Sequence, residues 1–107
     1  METICQIDME LLKDDEIAGK LKMIGPWEYD PEDKMLVRET SFKDFMEAVG
    51  FLNKLAELAE KLNHHPDMTV CEYSRVIVTT TTHDAGGVTD NDILLAQGFE
   101  KLLEEYG

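Results

Sequence analysis

This 107-residue chain lacks several of the ingredients from which common biochemical sites are built. It has two cysteines, Cys5 and Cys71, which stand at neither a metal-binding nor a redox spacing. They read as free thiols in a reducing compartment, which makes the cytoplasm the default location. Basic residues are few: 10 lysines and arginines face 23 carboxylates, giving a formal charge of −13. A surface of that sign repels phosphate backbones and argues against direct nucleic-acid binding. No apolar run approaches about 18 residues, so no membrane span is expected. The N-terminus carries Glu2 and Asp8 where a secretory signal would place basic and then apolar residues. There is no internal repeat, low-complexity tract or linker. Histidine is scarce too, but its three copies, His64, His65 and His83, fall within twenty positions of one another.

What is present fits one globular domain over residues 1–107, with a core of modest size and residues 1–12 expected to be loosely ordered. The apolar fraction of 43% is that of a folding chain. Asp14 or Asp15 caps an expected first helix through Ile17, Ala18 and Leu21 to about Met23, and Gly25-Pro26 stops it. Trp27-Glu28-Tyr29 and Lys34 to Ser41 read as two strands around an Asp30-Pro31-Glu32-Asp33 turn. A long helix is expected from about Phe42 to Leu62, capped by Ser41. Its apolar stripe runs through Phe42, Phe45, Met46, Val49, Leu52, Ala56 and Ala59, widened by Leu55, Leu58 and Leu62. Strands at about Thr69 to Cys71 and Tyr73 to Thr82 follow, the second putting Val76, Val78 and Thr80 on one face and Ile77, Thr79 and Thr81 on the other. Gly86-Gly87 makes a turn. Thr89 caps a last helix, with Asp92 at its third position and an inward stripe of Leu95, Phe99, Leu102 and Tyr106. This order predicts an α+β fold, an antiparallel sheet with helices packed on one face.

Histidine is the side chain best suited to moving protons near neutral pH. In a regular strand His64 and His65 would point to opposite faces, but at a helix end both rings can approach one cleft. Glu60 lies one helical turn before His64, within reach of its ring. His83 and Asp92 sit at chain reversals, where functional groups are commonly displayed. The expectation is that the end of the long helix, the end of the last strand and the start of the last helix converge on a proton-transfer site. Plainer readings stand beside it. Adjacent histidines suit the negative pole of a helix. Asp92 serves as a cap and Glu60 as a solvated helix residue. Trp27 and Tyr73 suit core or pocket wall. A zinc or iron site of three histidines and a carboxylate is weighed as well, but the spacing matches no metal motif.

The series Glu60, three residues, His64-His65-Pro66, six residues, Tyr73, nine residues, His83, eight residues, Asp92 resembles the signature of the pterin-4a-carbinolamine dehydratases. Thr82-His83-Asp84-Ala85-Gly86-Gly87-Val88-Thr89 is similar to that family's turn into its last helix. Trp27, Leu36, Arg38, Phe42, Phe45 and Ala48 also stand where the family places similar residues. The resemblance covers Leu12 to Leu103. It departs at Met68, where many members carry an aromatic residue, and in the long interval from Pro66 to Tyr73.

The resemblance implies a four-stranded antiparallel sheet with three helices on one face, in a homodimer or homotetramer. It implies dehydration of 4a-hydroxytetrahydrobiopterin, or a related pterin, to the quinonoid dihydropterin during cofactor recycling. No metal or redox cofactor is expected. A functional link to a pterin-dependent aromatic amino acid hydroxylase follows. His64 and His83 would transfer protons and His65 would bind and orient the pterin. Glu60 and Asp92 would support the histidines, and Pro66, Trp27 and Tyr73 would shape the pocket. The alternative implied by the same resemblance is a protein-interaction module, a dimerisation cofactor or transcriptional coactivator.

Overall fold

The computed structural model describes residues 10–106. Helix α1 (Asp14–Lys22) leads into strands β1 (Glu28–Asp30) and β2 (Met35–Ser41). Helix α2 (Phe45–Leu62), strands β3 (Asp67–Cys71) and β4 (Arg75–Thr80), a one-turn 3-10 helix (His83–Ala85) and helix α3 (Asp90–Tyr106) complete the chain. The strands form one antiparallel sheet in the order β1-β2-β4-β3. The expected α+β architecture of four strands and three helices is the one observed.

Alternation along the two central strands sets the layers. Leu36 and Arg38 of β2, and Val76, Val78 and Thr80 of β4, are buried on one face. Ile17, Leu21, Phe51, Leu55, Leu95 and Phe99 of the helices are buried with the apolar members of this set in one core. Each large apolar side chain so buried contributes about 1.5–3 kcal/mol. Phe51 sits at the centre, with the rings of Phe42, Phe99 and Tyr106 at 5.1, 5.0 and 5.6 Å.

Arg38 is the one charged side chain on the buried face of β2, only 7% exposed. Its guanidinium donates to both oxygens of Glu100 on α3, from Nε at 2.6 Å and Nη2 at 3.2 Å. Trp27 donates its indole N–H to the same carboxylate at 2.8 Å. A buried charge is tolerated when it is paired and hydrogen-bonded in this way.

Several expected boundaries move. Helix α1 begins at Asp14 and its cap position is Lys13, whose backbone N–H is taken by the Glu16 side chain at 2.8 Å. Helix α2 begins at Phe45, because Asp44 rather than Ser41 caps it, accepting from the Glu47 N–H at 2.8 Å. Phe42 is left outside the helix, its N–H donated to the Ser74 carbonyl. The stripe that α2 buries is Ala48, Phe51, Leu55 and Ala59, while Phe45 and Met46 are 47% and 74% exposed. Strand β3 starts two residues early at Asp67. Strand β4 is shorter than expected, because Glu72 and Tyr73 take positive φ angles in the hairpin turn and Thr82 leaves the ladder to pair with Gly87. The expectation of a loose N-terminus falls mostly outside the described residues. Leu12, at its last position, donates its N–H to the Val88 carbonyl at 2.9 Å.

Candidate active site

The end of α2 determines where the two adjacent histidines go. Asn63 closes the helix in the left-handed conformation, φ 52° and ψ 43°. The N–H groups of Asn63 and His64 turn back onto the carbonyls of Glu60 and Ala59. This is the double hydrogen bond of a Schellman ending, and asparagine tolerates the left-handed position better than most residues. The residue after such a turn folds back towards the helix, and His64 is accordingly buried, 9% exposed. His65, held before Pro66 in a non-helical segment, turns outward. The two rings therefore part, and do not share one cleft wall.

Their partners part as well. Glu60 was expected to reach His64. Its carboxylate instead lies 2.7 Å from Nε2 of His65, because the left-handed turn at Asn63 takes the His64 ring off the face of α2 that carries Glu60. His64 places Nε2 2.6 Å from Oδ1 of Asp92, at the start of α3.

Asp92 is fully buried and accepts four hydrogen bonds. Oδ1 takes His64 Nε2 and the Thr80 hydroxyl, each at 2.6 Å. Oδ2 takes the Thr82 hydroxyl at 2.8 Å and the Thr89 backbone N–H at 2.9 Å. The last of these is the carboxylate half of a capping box, and the Thr89 hydroxyl accepts the N–H of the second helical residue, Asn91, at 3.2 Å. Asp92 is thus both the expected helix-capping residue and the partner of a histidine. Where the carboxylate is the acceptor in this contact, His64 presents Nε2–H to it. Among the described residues His64 Nδ1 has no hydrogen-bond partner, so in the neutral ring that nitrogen carries the available lone pair.

Alternation along Thr79-Thr80-Thr81-Thr82 serves two faces. Thr80 and Thr82 point inward and hold Asp92. Thr79 and Thr81 point outward and line a cavity of about 280 Å³. His65 and Asp67 form one side of it, His83, Gly86 and Gly87 another, and Glu32 to Met35 of the β1–β2 turn a third. Gly86, at φ 84°, takes the backbone conformation that lets the chain reverse after His83. Two of the three histidines thus face one cavity, and the third lies buried against Asp92.

The structure does not bring every expected residue to this place. Trp27 is committed to the Glu100 carboxylate and packs edge-on against Phe99, 5.3 Å between centroids. Tyr73 is 65% exposed in the β3–β4 turn, at the opposite end of β4 from His83. Neither lines the histidine cavity. Pro66 lies between the end of α2 and β3 and does not line it either. Thr80, Thr82 and the β1–β2 turn were missed by the sequence reading. Thr80 carried a signal: it is the polar member of an inward series begun by Val76 and Val78. Among the described residues no group of three or more histidine, cysteine or acidic side chains is arranged to hold a metal ion.

Comparison with known proteins gives the family. The model described as "Pterin 4 alpha carbinolamine dehydratase" matches residues 10–102. The chain belongs to this family. A relative from Thermomicrobium roseum, provisionally named as a pterin-4-alpha-carbinolamine dehydratase, is 47% identical over 94 residues, 88% of this chain and 98% of that protein. One of the same provisional name from Sulfurisphaera tokodaii is 42% identical over 95 residues, 89% and 99% of the two chains. The crystal structure of a transcriptional coactivator/pterin dehydratase from Brucella melitensis superposes with a TM-score of 0.79 at 36% identity, covering 85% of this chain and 96% of that one. A pterin dehydratase-like protein identified as a RuBisCO assembly factor of the alpha-carboxysome has a TM-score of 0.60 at 22% identity, covering 73% and 89%. That last likeness is one of fold alone.

Proposed function

We propose that this chain dehydrates a 4a-hydroxytetrahydropterin, in the first instance 4a-hydroxytetrahydrobiopterin, to the quinonoid dihydropterin and water. The observation that carries the reading is the clustering of all three histidines at one end of the sheet. Two of them line one cavity, and the third is paired with a buried carboxylate. Membership of the family supplies the pterin.

The chemistry needs only proton transfer. The C4a–O bond breaks with its electron pair going to oxygen, and the lone pair of the neighbouring N5 forms the C=N bond. The N5 proton passes to a base, and an acid protonates the departing oxygen to give water. No electron is gained or lost overall. Positioned acids and bases contribute about 100- to 10,000-fold to such a step. In this reading His64 and His83 transfer the protons, His64 through Nδ1. His65, held by Glu60, binds and orients the pterin.

Supporting features extend the reading. Cys71 carries a free thiol, in keeping with the cytoplasm, and no described helix is long and apolar enough to cross a membrane. The outer side of β3 is a sheet edge among the described strands, available for pairing in a homodimer or homotetramer. A pterin-dependent hydroxylase would supply the carbinolamine. The Brucella relative, described as a transcriptional coactivator as well as a pterin dehydratase, favours a second reading. In that reading the chain is a protein-interaction module acting as a dimerisation cofactor or coactivator.

Single alanine variants of the three histidines test the assignment. His64→Ala and His83→Ala should each lower kcat of carbinolamine dehydration, and His65→Ala should chiefly raise KM. Full activity in both His64→Ala and His83→Ala would refute it, and a wild-type protein without activity would favour the interaction module.

A further inference from the structure

We infer that Thr80 is a positioning residue for His64, acting through Asp92. The inference rests on the proposed proton-transfer role of His64, but one of its tests does not need that reaction.

Thr80 occupies an inward position of β4, 2% exposed, in series with Val76 and Val78 at 0%. A buried hydroxyl is unfavourable unless it is hydrogen-bonded. Valine has nearly the same shape and no polar atom, so packing alone would not call for threonine here. The hydroxyl has a defined use. It donates to Asp92 Oδ1 at 2.6 Å, the same oxygen that takes His64 Nε2 at 2.6 Å.

The direction of each bond follows from the carboxylate, which accepts from every side. Thr82 donates to Oδ2, so its oxygen is free to accept from the Thr89 hydroxyl, 2.8 Å away. The Thr89 oxygen in turn accepts from the Asn91 N–H. Oδ2 is therefore anchored by Thr82 and the first turn of α3, and Oδ1 is shared by Thr80 and His64. Thr80 sets the orientation of Oδ1 and takes up part of its negative charge. What remains fixes the Nε2–H tautomer of His64 and the direction in which Nδ1 faces. Loss of the Thr80 hydroxyl leaves His64 as the only donor among those four groups on that oxygen, and the His64–Asp92 bond should tighten and swing.

The test uses Thr80→Val, which removes the hydroxyl and keeps the shape, and Thr80→Ser, which keeps the hydroxyl. The imidazole N–H resonances of the protein alone are recorded by nitrogen-15-edited NMR. The His64 Nε2–H resonance should move downfield in Thr80→Val and stay in place in Thr80→Ser. In the dehydration assay Thr80→Val should lose about tenfold or more in kcat, the worth of a hydrogen bond to a charged group, with KM nearly unchanged. Thr80→Ser should restore kcat. If Thr80→Val does not fold, Thr80→Ala is read in the same way. A variant without the hydroxyl that is merely less heat-stable, with the His64 resonance and kcat unchanged, overturns the inference. So does a fall in kcat with the resonance unmoved, or a moved resonance with kcat intact. If the wild type dehydrates no carbinolamine, the proposed function fails by itself, and the resonances still decide whether Thr80 positions His64.

Discussion

Glu60 and His65 are joined at 2.7 Å across the end of α2, although His64 is the histidine one helical turn further along. The left-handed residue Asn63 is the cause. It turns His64 into the core and leaves His65 outside, where its side chain and that of Glu60 are 59% and 76% exposed. Each of the two adjacent histidines thereby has its own carboxylate, one wet and one dry.

The wet pair is expected to tune binding modestly. Exposed ion pairs contribute up to about 1 kcal/mol, so Glu60→Gln should raise KM by at most about fivefold and leave kcat nearly unchanged. Steady-state kinetics on the carbinolamine checks this. A collapse of kcat would place Glu60 in the proton path.

The Arg38–Glu100 pair should matter more for stability than for chemistry. Glu100→Ala leaves the guanidinium and the Trp27 indole without their shared acceptor, which costs about 3 kcal/mol or more. Denaturant unfolding measures that loss. Arg38→Lys, with Glu100 intact, should also be destabilised, because an ammonium cannot reproduce the two-pronged contact with Glu100.

Gly50 marks a close approach of α2 and the end of α3. A Cβ there would run into the Tyr106 hydroxyl oxygen, which donates to the Glu47 carbonyl at 2.9 Å. Gly50→Ala must displace that hydroxyl, at a cost of about 1–3 kcal/mol. Tyr106→Phe removes the obstructing atom, so the double variant should be less destabilised than the sum of the two singles. Strict additivity would contradict the contact.

Tyr29 predicts an alkaline effect. Burial, then the charge of Asp14 and a hydrogen bond to it, then the charge of Asp30, raise its pKa above the ordinary value of 10.0. The folded chain therefore holds this proton more tightly than the unfolded chain. The resulting stabilisation is complete below the ordinary tyrosine value and is lost as pH rises through the raised one. Urea midpoints measured from about pH 9 to 12 should fall less steeply in Tyr29→Phe than in wild type, since the ordinary tyrosine value lies inside that window. Parallel curves would show that Tyr29 is not the group responsible.

The element order could be read from the chain because strong local signals agreed: Gly25-Pro26, the threonine-rich strand, and the Thr89/Asp92 cap. The faces of α2 could not be read as well. Its apolar residues are too numerous to mark one stripe, and only packing against Phe99 and Tyr106 selects Phe51 over Phe45 or Met46. The histidines were visible as a cluster, but their partners were not. Which carboxylate meets which ring depends on a single left-handed residue at Asn63. The Trp27–Glu100–Arg38 contact joins β2, α3 and the segment before β1, and no local pattern announces it. The same holds for Thr80, whose meaning appears only when α3 brings Asp92 beneath β4.

The most direct test is the rate of 4a-carbinolamine dehydration, with the carbinolamine generated by a pterin-dependent hydroxylase, for wild type and for His64→Ala/His83→Ala. The account predicts acceleration by wild type over the uncatalysed rate and loss of nearly all of it in the double variant. A folded double variant as active as wild type, or a folded wild type without activity, would contradict it.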